Sequence, residues 1–219
     1  MPKNIVFHYF HGRGIGEPIR LLLALGEIAF NDRRYTIDEF AGMTEFKARL
    51  PFGQMPALEV DGAFIGQTDS ISRYAARLAN LYPADAWSAA RCDMIVVQQA
   101  EIQSAIAKQI YDGVPGAPGT TLFPPEEKAR RINEWYRDGL PIILQRLENL
   151  AGDGTMVDGS LSWADIAIFC RLNHLIDTHG NWRPDAFPKL QAVYAAVEAH
   201  PRIQDWMSAH PEYYPHLNP

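Results

Sequence analysis

The sequence predicts an α/β half with a mixed sheet over residues 1–81 and an all-helical half over residues 82–219. Three observations predict this division. Strand-like and helix-like patterns alternate as far as Leu81. Within that stretch, ALEVDGAFIG places Asp61-Gly62, the strongest two-residue hairpin signal, between two short apolar runs. Beyond residue 82 the strand signals vanish and helical patterns take over. The order β-α-β-α-β-β-α in the first half implies a mixed sheet flanked by helices.

Residues 5–10 form an apolar strand. The helix that follows has Pro18 in its first turn, where a fixed φ is suited, and carries Ile19, Leu22, Leu23 and Leu25. Gly26 is expected as the left-handed residue just past its end. Residues 30–37 alternate weakly as a second strand, and residues 44–50 suggest a short helix. The hairpin follows, then a helix over 68–81 with Ile71, Tyr74, Ala75 and Leu78 on one face. In the second half, residues 86–111 give a long helix rich in alanine and glutamine. A loop rich in glycine and proline spans 113–127, and a second long helix spans 126–150. SLSWADIAIF marks a helix start, with Ser162 as N-cap, Asp165 as the capping-box acid and Leu161 placed to staple to Ile166. Residues 187–199 and 203–209 give two shorter helices divided by Pro201.

Composition narrows the function classes. The chain has 219 residues, is 47% hydrophobic and 21% charged, and so suits one or two packed domains. A net charge of −6 argues against a general binder of nucleic acid or anionic membrane. Cys92 and Cys170 stand far apart in apolar stretches and form neither a CxxC nor a zinc pattern, so both are expected to be buried reduced thiols. The opening MPKNIVFHYF lacks the apolar region of a signal peptide, and no run reaches membrane-spanning length. A soluble cytoplasmic protein is expected. His8, His11, His174 and His179 show no metal-ligand pattern with carboxylates.

The stretch FHYFHGRGIGEPIRLLL, residues 7–23, is a strand, a glycine-rich turn and a helix. It comes near the dinucleotide fingerprint G-x-G-x-x-G but misses it, because the glycine after Gly12 and Gly14 is Gly16 rather than a residue one place later. No phosphate-binding G-x-x-x-x-G-K-[ST] is present either.

YFHGRGIGEPIR, LPFGQMPALEVDG, GQTDSISRYAARL and SWADIAIF together resemble the cytosolic glutathione transferases, in order and spacing across residues 5–207. The start and LPFGQMP are most similar to the tyrosine-type classes, sigma above all and pi next. The resemblance implies a thioredoxin-like glutathione-binding domain over 1–81 and an all-α domain over 82–219 that lines the electrophile site. It also implies a homodimer. Glutathione is then a co-substrate, and no permanently bound cofactor or metal is expected.

A free thiol has a pKa of about 8.5, so little thiolate exists at pH 7. A hydrogen bond donated to sulfur favours the thiolate. Tyr9, at the end of the first strand beside a helix N-terminus, is suited to donate it. On its residue type alone Tyr9 is a strand aromatic of the core, whereas the resemblance makes it the catalytic tyrosine. The resemblance further implies that Gln67 and Thr68 hold the γ-glutamyl carboxylate at a helix N-terminus, where free N–H groups await an anion. Gln54, Met55 and Pro56 would pair with the cysteinyl backbone, Pro56 through a cis bond. Lys47 would meet the glycyl carboxylate. Met43 stands where sigma enzymes often carry a tryptophan, and it has no hydrogen-bond donor to offer there. Glu101 would reach across the dimer to the γ-glutamyl amine. Phe10, Ile15 and Tyr111 would border the electrophile, Tyr111 with a hydroxyl able to serve as a general acid. Ile15 replaces an arginine that some relatives carry, which counts against a sigma-type isomerase more than against conjugation. Arg13 and Arg20 are either a positive field near sulfur or structural. Phe52 stands where relatives insert an aromatic key into the other subunit. An isomerase, a peroxidase or a non-catalytic binding protein of the same fold are the alternatives to a transferase of small apolar electrophiles.

Overall fold

A computed structural model describes residues 2–110, 124–179 and 184–214. Four strands, β1 (Ile5–Phe10), β2 (Asn31–Tyr35), β3 (Ala57–Val60) and β4 (Ala63–Gly66), form one sheet in the order β2-β1-β3-β4. β1 runs parallel to β2 and antiparallel to β3, and β3 pairs antiparallel with β4. This mixed sheet, with α1 (Glu17–Leu25) and α4 (Thr68–Leu78) packed together, is the expected thioredoxin-like half. The hairpin turn has both Asp61 (φ 49) and Gly62 (φ 91) in the left-handed region, as a type I′ turn requires. The Asp61 carboxylate also accepts the Asn4 N–H at 2.9 Å, fixing the chain start to the turn.

α2 (Ile37–Gly42) and α3 (Thr44–Arg49) follow β2. The second strand is thus shorter than the expected 30–37, and α2 was not expected at all. Its signal is a capping box: Thr36 Oγ1 accepts the Glu39 N–H, and the Glu39 carboxylate accepts the Thr36 N–H.

Gly26 does not have the role its sequence position suggested. It is the C-cap with φ −77, and the left-handed residue is Glu27 (φ 53). Glu27 N–H reaches Ala24 O and Ile28 N–H reaches Leu23 O, which is a Schellman ending shifted by one residue. Glycine is needed at 26 for a different reason: a Cβ there would lie 2.7 Å from Ala79 Cβ, so it permits the close approach of α1 to the end of α4. α4 ends at Leu78 rather than 81, closed by a Schellman motif with Asn80 (φ 57) as its left-handed residue.

Among the described residues every later element is helical: α5 (Ala86–Ile110), α6 (Pro125–Glu134), α7 (Leu140–Leu150), α8 (Trp163–His179), α9 (Pro188–Glu198) and α10 (Pro201–Ala209), with short 3₁₀ turns. The helix expected over 126–150 is interrupted by a π turn at Trp135–Gly139. Pro141 accounts for it, since its ring lacks an N–H and would clash with the carbonyl four residues back, and the wider turn relieves both. At the start of α8, Asp165 is fully buried and its carboxylate accepts the N–H groups of Met156 (2.6 Å) and Ser162 (2.8 Å). The Ser162 hydroxyl, just before the first residue of the helix, donates to the same carboxylate at 2.7 Å. Trp163 N–H donates to Leu81 O at 2.8 Å and ties the start of α8 to the chain after α4.

Candidate active site

Strand register assembles one end of the sheet. His8 pairs with Ala57, and Ala57 pairs with Gly66. The next residues outward are Tyr9, Pro56 and Gln67, so three segments distant in sequence meet at one edge. The Met55–Pro56 bond is cis. Gln67 is the N-cap of α4 with φ 70 and ψ 122, and Thr68 is the first helical residue. Thr68 is therefore not the N-cap, and no side chain caps this end.

Tyr9 explains the glycine spacing after β1. A Cβ at Gly16 would stand 2.5 Å from Tyr9 Cδ1, and one at Gly14 would stand 2.7 Å from the Tyr9 hydroxyl oxygen. The ring lies directly on the Gly14–Gly16 turn, where no other residue type fits without displacing it. The Tyr9 hydroxyl accepts the Ile15 N–H at 3.3 Å. A phenolic hydroxyl can accept and donate at the same time. The Arg20 guanidinium stands 5.6 Å from the Tyr9 ring centroid.

Tyr9, Ile15 and Thr68 line a cavity of about 420 Å³. Its other walls come from Asp69 and Ser72 of α4, Val96, Gln99, Ala100 and Gln103 of α5, and Trp163, Ala167, Cys170, Arg171 and His174 of α8. The cavity thus lies between the sheet half and the helical half. A larger cavity of about 690 Å³, around Tyr82, Asp85, Ser88 and Asp158, holds none of the expected site residues.

Other expected residues lie elsewhere. Phe10 does not line the cavity; it packs against Tyr9 and edge-on against Phe40. Lys47 donates to Ala41 O at 2.8 Å and lies over the Phe40 ring. Met43 is the junction between α2 and α3. Gln54 is exposed and Met55 half-buried at the turn before β3. Glu101 is exposed on α5, 3.8 Å from Arg146. Tyr111 lies outside the described residues. Arg13 pairs with Asp177, and Arg20 is fully buried between Glu17 and Asp32, so both are structural. Cys92 is buried as expected, but Cys170 is half-buried and faces the cavity. Burial pushes the Cys92 thiol up to about 11 and raises Cys170 as well, so both stay protonated.

Asp69, Gln99, Gln103, Trp163 and Arg171 are among the lining residues that sequence reasoning did not assign to the site. Their signal was spacing: Gln99 and Gln103 are four apart, and 163, 167, 170, 171 and 174 share one helix face. Only the packing of α5 against α8 shows which face borders a cavity.

Comparison with known proteins completes the picture. A family profile described as "Glutathione S-transferase, N-terminal domain" matches residues 5–77, and "Glutathione S-transferase, C-terminal domain" matches 119–210. The chain is 30% identical over 218 residues to a glutathione S-transferase of Anopheles gambiae, covering 96% of this chain and 98% of that one. It is also 30% identical to the hematopoietic prostaglandin D synthase of Gallus gallus, covering 95% and 98%. In fold it matches a prostaglandin synthase D of Nilaparvata lugens with a TM-score of 0.82 at 24% identity, over 95% and 98% of the two chains.

Proposed function

Because this chain belongs to the glutathione S-transferase family, we propose that it conjugates the glutathione thiolate to small apolar electrophiles, with Tyr9 as the residue that stabilises the thiolate. The observation that carries this is the seating of Tyr9 on Gly14 and Gly16, its hydroxyl oxygen occupied by the Ile15 N–H at the wall of the interdomain cavity. A sulfur placed in the cavity beside that hydroxyl receives its hydrogen bond, and each pKa unit removed from the thiol equals about 1.4 kcal/mol of preference for thiolate. The thiolate then forms a bond to the electrophilic carbon, and the leaving group departs with the electron pair of its own bond. The positive-φ Gln67 and the free N–H groups that begin α4 suit the γ-glutamyl carboxylate. The cis Met55–Pro56 turn suits antiparallel pairing with the cysteinyl backbone, and Lys47 suits the glycyl carboxylate once it exchanges its carbonyl partner.

The protein acts, on this reading, as a cytoplasmic homodimer of the sigma type. Among the described residues no helix is long and apolar enough to cross a membrane. Phe52, Trp87 and Val97 are 60, 75 and 63% exposed, an apolar set that a second subunit would cover. In such a dimer Glu101, on the same helix as Trp87 and Val97, would reach the γ-glutamyl amine. The Gallus gallus relative supports an isomerase as the second reading.

Ultraviolet difference absorption of bound glutathione, titrated against pH, tests the assignment. The thiol should ionise well below its free value in the wild type. Tyr9→Phe should restore an ordinary pKa while binding persists. Glutathione bound with an ordinary thiol pKa in the wild type would remove Tyr9 from this role.

A further inference from the structure

Arg171 enters the cavity from α8, and among the described residues no carboxylate pairs with it. Its Nε–H donates to Gln99 Oε1 at 3.0 Å and its Nη1 donates to Gln103 Oε1, both neutral amides on α5. These use two of the five guanidinium N–H donors and leave three for a ligand. Among the described residues, Arg13, Arg20, Arg34, Arg73, Arg91 and Arg202, each buried or half-buried, are all paired with a carboxylate. No such pair among the described residues includes Arg171, and Asp69, which lines the same cavity, forms none with it. Burial pushes the guanidinium down to about 10, which marks a cation whose lost hydration its neighbours do not replace.

A brace between α5 and α8 needs no charge, and a buried cation without a counter-ion is costly. Where arginine is structural in this fold, as Arg20 is, carboxylates surround it. We propose that Arg171 anchors the carboxylate of the second substrate, so that the preferred electrophiles are apolar molecules bearing a carboxylate. The planar fork suits a carboxylate, and Ile15, Pro18, Val96, Ala100, Trp163 and Ala167 offer the apolar body its surface. No bond is made or broken at Arg171. The inference rests on the transferase reading for the word electrophile, but the binding it requires does not depend on turnover.

The test is calorimetric titration of the protein without glutathione, using 4-phenylbutyrate and its neutral amide. The wild type should bind the carboxylate roughly 10–100-fold more tightly than the amide. Arg171→Gln should bring that ratio to about one. A ratio near one in the wild type overturns the proposal, as does a ratio that survives in Arg171→Gln. If that variant does not fold, a crystal structure of the wild-type phenylbutyrate complex decides: the carboxylate lies on Arg171, or the proposal is wrong. Conjugation of 1-chloro-2,4-dinitrobenzene by the same wild-type preparation is measured separately. Its absence defeats the transferase reading, whereas a ratio of one with conjugation intact defeats only the role of Arg171.

Discussion

At the scale of single residues, the Gly14–Gly16 turn exists to receive Tyr9. Gly16→Ala places a methyl group 2.5 Å from Tyr9 Cδ1, so the ring must move. A misplacement of about 1 Å at a catalytic group costs on the order of 100-fold in rate. Gly16→Ala should therefore lower kcat/KM for conjugation by at least about tenfold. In a Tyr9→Phe background the same change should add little, because the two act through one hydroxyl. Additive losses across the four proteins would mean that Gly16 acts independently of Tyr9. His8 gives a second residue-scale expectation. It is buried in the sheet, its Nδ1 2.9 Å from the Tyr35 hydroxyl and its Nε2 3.4 Å from Glu59. Burial lowers its pKa below the ordinary 6.5, and Glu59 offsets this only in part. The unfolded chain then binds the His8 proton at a higher pH than the folded one. Stability is lost as pH falls below about 6.5, by up to about 1.4 kcal/mol per pH unit for one proton. Urea midpoints at pH 7.5 and 5.5 should differ more in the wild type than in His8→Gln; equal differences would remove His8 as the cause.

At the scale of elements, the start of α8 depends on Asp165. Its carboxylate is the shared acceptor for Met156, the Ser162 N–H and the Ser162 hydroxyl, all in a fully buried place. Asp165→Ala would leave those donors unsatisfied, at about 1–3 kcal/mol each, so a loss of about 3 kcal/mol or more is expected in chemical denaturation. Asp165→Asn keeps an acceptor and should lose less; equal losses would count against the hydrogen bonds as the cause. This cap was legible because a capping box is local, a carboxylate three residues from the residue whose N–H it accepts. The hairpin was legible for the same reason. Pro141 and Gly26 show where local reading stops. A proline inside a helical pattern can be absorbed by a π turn when the segment after it has a core to pack on, and Ile143, Leu144 and Leu147 provide that core for α7. Gly26 looked like a helix-ending residue, whereas its need for glycine comes from Ala79, more than fifty residues away. The candidate site divides likewise. Tyr9 and its glycines lie within eight residues of one another and could be found together, whereas Arg171 acquires its meaning only from Gln99 and Gln103 on another helix.

At the scale of the molecule, one buried carboxylate is among the links that join the two halves. Glu17, at the start of α1, accepts the Trp206 indole N–H at 2.8 Å and the Tyr214 hydroxyl at 2.6 Å, both from the C-terminal end of the chain. Its other oxygen meets Arg20, which also donates to Gly12 O at 2.9 Å and lies beside the Tyr9 ring. The last helical segment is thereby connected, through two charges, to the loop that holds Tyr9. Removing one partner of a buried ion pair costs about 3–5 kcal/mol, because the other charge stays behind. Glu17→Gln should fall in that range, and it should also loosen the hold of Arg20 on the Gly12 turn. Tyr214→Phe removes the hydrogen bond to the Glu17 carboxylate and should cost about 1.5–3 kcal/mol. The two losses should not add, since the Glu17→Gln protein no longer offers Tyr214 a charged acceptor. Urea denaturation followed by tryptophan fluorescence and by far-ultraviolet circular dichroism reads both stability and coupling. Coincident transitions in the wild type, separating in Glu17→Gln as the halves lose their link, are the expected outcome. A Tyr214→Phe protein as stable as the wild type would mean that Glu17 is held by α1 and α10 alone, and that the C-terminal tyrosine contributes nothing to joining the halves.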